Sequence, residues 1–300
     1  MNNPAQSMFG DRLADAVRAK KSAVCVGLDP RWGSLPHSIR TGIDPSDRNA
    51  IAGATECFCR HVIDAVADYA PVVKPQAAFF EQLGPSGMVV LGSVIQYARK
   101  AGLLVLLDGK RGDIGTTAEA YADAYLGESS AWQCDALTVN PYLGDDTLKP
   151  FVDSCHSRAA GIFVLVKTSN HGSGFIQDKV FAGRTVYEQI AALVQQLAEQ
   201  SVGTTGYGSI GAVVGATYPE QLAKLRSQMP NTWILIPGYG AQGGTATDVA
   251  HGFDKNGLGA IVNSSRGIIF AYQTPRYANL TWQAAIAAAT CDMASELRAQ

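Results

Sequence analysis

No stretch of about 18 consecutive apolar residues occurs in this 300-residue chain, so no transmembrane helix is expected. Neither charge is in surplus. The formal net charge is −2, and no sequence-wide basic field points to nucleic acid or an anionic membrane. The start of the chain lacks the apolar core of a secretory signal. It carries Asp11, Arg12, Asp15, Arg18 and Lys20 instead, an amphipathic beginning, so no leader is expected. Cys57 and Cys59 have no second closely spaced pair, which argues against a zinc site. Cys25 and Cys134 lie in or beside apolar runs and read as small core residues. A reduced, cytoplasmic compartment fits this usage. No Pro/Ser-rich linker, repeat or low-complexity tract divides the chain, and a single domain over 1–300 is expected.

What is present is alternation. Hydrophobic residues make up 47% of the chain, enough to fill a sizeable core. Short apolar runs at 23–30, 71–79, 103–110, 136–142, 161–169, 210–217, 233–240 and 259–266 each lead into polar, Gly-rich or Pro-rich residues. Helical patterns fill the gaps at 47–69, 86–100, 117–125, 186–200, 219–228 and 245–255, and an Ala-rich one closes the chain at 282–298. Ser46 is placed to cap the first of them. Eight strand–helix units in a chain of this length match a (β/α)8 TIM barrel. The competitor, a doubly wound open sheet, often has a Gly-rich turn after its first strand. Here that strand ends in Gly27-Leu28-Asp29-Pro30, which is no dinucleotide fingerprint.

Active sites of such barrels lie at the C-terminal strand ends, and the unusual polar residues fall there. They are Asp29, Lys74, Asp108, Lys110, Asn140, Lys167 to Asn170, Gln242 and Arg266. The densest group follows the apolar run Leu103 to Leu107 as Asp108-Gly109-Lys110-Arg111-Gly112-Asp113-Ile114. Alternation along a strand puts Asp108 and Lys110 on one face. Lys74, on the neighbouring strand, can lie beside Asp108. Alternating Lys, Asp and Lys lets each charge compensate the next in a low-dielectric cavity and keeps Lys110 cationic, poised as a proton donor. The competing reading is a buried structural ion pair. Asp113 lies beyond the strand, either as a helix cap or, carried by its loop, as a residue acting across a subunit interface.

The last two runs have another character. Pro237 to Gly244 is a Gly-rich segment leading into a helix, whose backbone N–H groups suit an anion. Asn263 to Gly267 adds the Arg266 guanidinium. Loops in these positions are a recurrent phosphate site of barrels, and Arg suits bidentate phosphate recognition. Lys167-Thr168-Ser169-Asn170 offers hydroxyls and an amide to a polar ligand edge, or forms a plain surface loop. His171 has no carboxylate cluster beside it and makes a poor metal ligand; Ser169 has no local His/Asp partner for a triad.

The run Asp108-Gly109-Lys110-Arg111-Gly112-Asp113-Ile114-Gly115-Thr116-Thr117 resembles the D-x-K-x-x-D-I-x-x-T signature of the orotidine 5′-phosphate decarboxylases. The likeness extends from Gly27-Leu28-Asp29-Pro30 through Val73-Lys74-Pro75 and Pro237-Gly238 to Arg266, and its form is similar to the longer bacterial subgroup often called type 2. The resemblance implies decarboxylation of orotidine 5′-monophosphate without a cofactor or metal. Under it, Asp29 contacts the ribose hydroxyls, and Lys74 bonds the ribose and Asp108. Asp108 sits against the reacting carboxylate, and Lys110 protonates C6. It further implies a homodimer with shared sites, in which Asp113, Ile114 and Thr117 come from the partner subunit. Ser169 then reads the pyrimidine edge, Pro237 lines the pocket, and Gln242 and Arg266 hold the phosphate. Asn140 is added from its strand-end position.

Two other readings remain open on the residues alone. A metal-assisted sugar-phosphate enzyme on the same barrel needs acids placed for Mg²⁺; the second run offers Lys74 there, with Glu81 only past its end. A non-catalytic nucleotide-phosphate binder needs the anion loop but not the Lys74/Asp108/Lys110 array.

Overall fold

The computed structural model describes residues 7–240 and 243–298. Its centre is a closed barrel of parallel strands: β1 (Val24–Leu28), β2 (Val72–Pro75), β3 (Leu104–Arg111), β4 (Ala136–Val139), β5 (Gly161–Lys167), β8 (Ile210–Val214), β9 (Ile234–Ile236) and β10 (Ala260–Ser264), with β10 pairing back onto β1. A small antiparallel hairpin, β6 (Val180–Phe181) and β7 (Arg184–Thr185), lies in the chain between β5 and β8. The helices in chain order are α1 (Phe9–Lys20), α2 (His37–Arg40), α3 (Arg48–Val66), α4 (Ala77–Glu81), α5 (Pro85–Lys100), α6 (Gly115–Leu126), α7 (Lys149–Arg158), α8 (Val186–Glu199), α9 (Pro219–Gln228), α10 (Ala246–Ala250), α11 (Arg266–Ile269) and α12 (Trp282–Arg298). This is the (β/α)8 barrel that the alternation predicts.

Two apolar layers hold it. Outward-facing strand residues such as Val24, Val26, Leu107, Val164 and Ile234 pack on the helices. Inward-facing ones, including Cys25, Val72, Leu106, Ala136, Phe163, Val213, Leu235 and Ile261, fill the barrel. Both sets are buried because period-two alternation sends successive side chains to opposite faces of a sheet covered on both sides.

Helix α1, which the sequence marks only as an amphipathic start, closes the end where the strands begin. Phe9 and Leu13 join the inner layer, and the Trp233 indole N–H donates to Gly10 O at 3.1 Å. Arg12 pairs with Asp135 at 2.8 Å. Gly161 has no side chain because one would run into the Phe9 ring. The opposite end, where the strands finish, is left open for a site.

Most expected runs extend past the observed strands at that open end. Run 71–79 splits into β2 and α4, 136–142 stops at Val139, and 259–266 stops at Ser264. The cap of α3 is Asp47, whose carboxylate accepts from the N–H groups of Asn49 and Ala50. Ser46 is instead tied to Asp44.

Candidate active site

The open end holds a cavity of about 410 Å³. Asp29, Lys74, Gln76, Asp108, Lys110, Thr138, Ser169, Asn170, Pro237 and Asn263 are among the residues lining it. At one wall the Lys74 ammonium donates to Asp108 Oδ2 at 2.6 Å, and the Lys110 ammonium donates to Oδ1 at 2.6 Å. Gln76 Nε2 donates to Oδ2 at 3.0 Å and the Thr138 hydroxyl to Oδ1 at 3.0 Å. One carboxylate thus accepts four hydrogen bonds, two of them charge-assisted.

The electrostatics follow. Burial opposes the charge on Asp108, but the Lys74 and Lys110 ammonium groups overcome it and hold the carboxyl well below the usual carboxylate range. Burial likewise disfavours the Lys74 cation, and Asp108 and Asp29 outweigh it, raising Lys74 above its ordinary value. The two lysines differ in access. The Lys74 side chain is 6% exposed and that of Lys110 is 47% exposed. Lys74 is therefore built in, while Lys110 presents its ammonium to whatever fills the cavity.

Simple alternation does not bring Lys110 to Asp108. The register of β3 against β4 shifts between Leu107 and Arg111, and Lys110 takes φ +47°, in the left-handed region. That backbone costs a non-glycine residue about 1–2 kcal/mol. It is held by the Lys110 N–H, which donates to Thr138 Oγ1 at 2.9 Å. Thr138 therefore binds both the backbone of one charged residue and the carboxylate of the other.

Ser169 reaches the cavity because Gly215 has no side chain: a Cβ there would lie 2.8 Å from Ser169 Cβ. Lys167, grouped by the sequence with the mouth residues, points elsewhere. β5 bulges between Leu165 and Lys167, and the buried ammonium pairs with Asp178 at 2.6 Å and lies over the rings of Tyr187 and Tyr218. It ties down the loop that carries Ser169.

Other expected residues lie apart from the cavity. Asn140 borders a neighbouring hollow, and its Oδ1 accepts the Tyr142 N–H within its own turn. β4 ends at Val139, so strand parity no longer governs where Asn140 faces. Asp113 accepts the Ile114 N–H at 2.8 Å and is not the cap of α6. Neither Asp113, Ile114 nor Thr117 lines this chain's own cavity; Ile114 is 63% exposed. Arg266 is exposed at the start of α11, with no ion pair to any described residue. Gln242 lies outside the described residues.

At the start of α10, Thr245 and Asp248 form a capping box that takes up the backbone N–H groups of those two residues. The Gly-rich segment before it is knit to itself, with the Gly240 N–H donating to Gly244 O at 2.8 Å and Gly244 N–H to Gly238 O at 3.2 Å. Glu81 is paired with Arg111 and does not line the cavity. Among the described residues no three His, Cys, Asp or Glu side chains cluster to hold a metal ion, and no helix is long and apolar enough to cross a membrane.

Sequence reasoning passed over Gln76, Thr138 and Asn263. The signal for each was parity: they face inward two residues from Lys74, Ala136 and Ile261, respectively.

Comparisons with known proteins agree in direction. Residues 22–279 match the model of the orotidine 5′-phosphate decarboxylase / HUMPS family. An orotidine 5′-phosphate decarboxylase of Rhodopirellula baltica is 53% identical over 298 residues, covering 97% of this chain and 99% of that relative. One from Deinococcus radiodurans is 44% identical over 264 residues, 88% and 89% of the two chains. The solved structure of Leishmania donovani OMP decarboxylase is similar with a TM-score of 0.75 at 32% identity, covering 98% of this chain and 100% of that one.

Proposed function

The chain belongs to the orotidine 5′-phosphate decarboxylase / HUMPS family, and from that premise we propose how its cavity converts orotidine 5′-monophosphate to uridine 5′-monophosphate. Breaking the bond between C6 and its carboxylate releases CO₂ and leaves an electron pair on C6 in the ring plane. The ring π-system cannot delocalise that pair. Charge on the protein must stabilise it, and a preorganised ammonium does so without reorganisation. Lys110 is the accessible ammonium beside Asp108. It stabilises the developing carbanion, transfers a proton from Nζ to C6, and regains one from solvent.

Asp108, kept anionic by Lys74, faces the substrate carboxylate. It disfavours that ground state more than the transition state, in which the carboxylate is becoming neutral CO₂. Binding energy from the remote phosphate, held by Arg266 and Gln242, offsets the repulsion. Asp29 and Lys74 take the ribose side; Ser169 and Pro237 border the pyrimidine. No metal takes part in this reading, since both oxygens of Asp108 already face ammonium groups.

The active form on this reading is a homodimer. Asp113, Ile114 and Thr117 lie outside their own cavity, and Ile114, Tyr142 and Phe175 expose apolar surface around the same end of the barrel. A second copy covering that end brings Asp113, Ile114 and Thr117 to its partner's site. We place the enzyme in the cytoplasm, where a reducing milieu suits its six free cysteines.

The observation that carries the reading is the single Asp108 carboxylate bridging a buried and an accessible ammonium inside one cavity. Purified protein mixed with orotidine 5′-monophosphate in EDTA should bleach the orotate absorbance. No change sinks the reading, and activity only on adding Mg²⁺ favours the metal-assisted relative.

A further inference from the structure

In the same cavity as Asp108, two buried acceptors have no hydrogen-bond donor among the described residues. They are Asp29 Oδ1 and Asn263 Oδ1. Both residues line the same cavity, and they stand at or near the ends of adjacent strands, β1 and β10. Gly27 lies between them in the weave. It pairs with Lys74 on its other side, and a Cβ there would fall 3.2 Å from Asn263 Oδ1 and 2.7 Å from Ser265 Cβ. The missing side chain lets the Asn263 amide sit against β1, next to the strand position that leads to Asp29.

A buried acceptor without a donor is costly, so such groups mark a partner yet to arrive. The chemistry of that partner is constrained. Two acceptor oxygens repel a phosphate or a carboxylate, which bring only lone pairs at neutral pH. They suit hydroxyl groups. The Asn263 amide also offers N–H donors to the oxygen of a hydroxyl or an ether. A sugar with neighbouring hydroxyls fits this pair, and Arg266 lies three residues further along the chain for the group at its end.

We infer that Asn263 is a specificity-determining contact that reads one hydroxyl of the substrate's ribose, alongside Asp29. The inference rests on the reading of the cavity as an orotidine 5′-monophosphate site. Under it, Asn263 favours ribonucleotide over deoxyribonucleotide, because the latter leaves the amide oxygen unpaired.

The test compares wild type, Asn263→Ala and Asn263→Ser on orotidine 5′-monophosphate and on its 2′-deoxy and 3′-deoxy forms, with thermal unfolding of each protein as a control for folding. Asn263→Ala should lose roughly 10–100-fold in kcat/KM on the full substrate. On one of the two deoxy substrates it should lose nothing relative to wild type, and Asn263→Ser, which keeps a short acceptor, should fall between. An equal loss on all three substrates, or none on the full one, overturns the inference. Wild-type protein inert toward orotidine 5′-monophosphate overturns the underlying reading first, and the inference with it.

Discussion

Lys110 reaches the Asp108 carboxylate at 2.6 Å from a left-handed backbone, although only one residue separates them in the chain. An unbroken strand leaves its i and i+2 side chains parallel. The bulge in β3 turns them toward one another, and Thr138 holds the turn.

Thr138→Val removes the acceptor for the Lys110 N–H and the donor to Asp108 at nearly constant volume. Each lost bond with a buried partner costs about 1–3 kcal/mol. The expected result is a fall in kcat of roughly 10–100-fold, with UMP affinity nearly unchanged and Thr138→Ser close to wild type. Steady-state kinetics with UMP calorimetry checks this. Full kcat in the Val variant contradicts it.

Asp108→Asn leaves Lys74 buried without its main counter-charge, a change worth about 3–5 kcal/mol of stability. Asp108 has its pKa below the ordinary 3.8 when folded, so its contribution is present above about pH 4 and is lost as pH falls through the folded value. Lys74 is raised above 10.5, so its contribution is present below that pH and is lost as pH rises through the folded value. Urea denaturation should therefore show a variant-to-wild-type gap that is flat from about pH 5 to 9 and narrows in acid. A gap that changes near neutrality contradicts these assignments.

Gly215→Ala places a methyl 2.8 Å from Ser169 Cβ and 2.9 Å from its Cα, so the loop after β5 must move. A displacement near 1 Å at a positioning group can cost about 100-fold. KM for orotidine 5′-monophosphate is expected to rise at least about tenfold, with little change in the unfolding temperature. Unchanged kinetics remove Ser169 from the substrate's surroundings.

Lys110→Ala and Asp113→Ala homodimers should both be nearly inactive. Mixed dimers regain activity if Asp113 serves the partner's cavity, since one of the two shared sites is then intact. Activity after co-refolding of differently tagged subunits measures this. No rescue in isolated mixed dimers contradicts the shared site.

The barrel was legible in the sequence because its signal is repeated: every apolar run except that at 136–142 is followed by a helical pattern, and local periodicity suffices, while α7 after that run went unread. The Lys74–Asp108 pair was legible for a related reason, because inward parity on adjacent strands puts the two together. Parity failed where strands end or bulge. Asn140 lies one residue past β4, and Lys167 follows a bulge; both turned away from the cavity. The glycine spacing also gave no sign that Thr245 and Asp248 cap α10 and bind each other's backbone N–H groups. Thr138 and Asn263 were visible to parity but lack the charge that draws attention to a residue. The pairing of Arg111 with Glu81 depends on a contact 30 residues apart, beyond any local pattern.

The most direct test of the charge-based account is single-turnover decarboxylation by Lys110→Ala in EDTA, measured beside its affinity for UMP. The account predicts a fall of at least about 1,000-fold in the chemical step, with UMP bound within about threefold of wild type because phosphate and sugar contacts survive. A variant that keeps a tenth or more of wild-type turnover, or loses UMP binding in step with turnover, contradicts it.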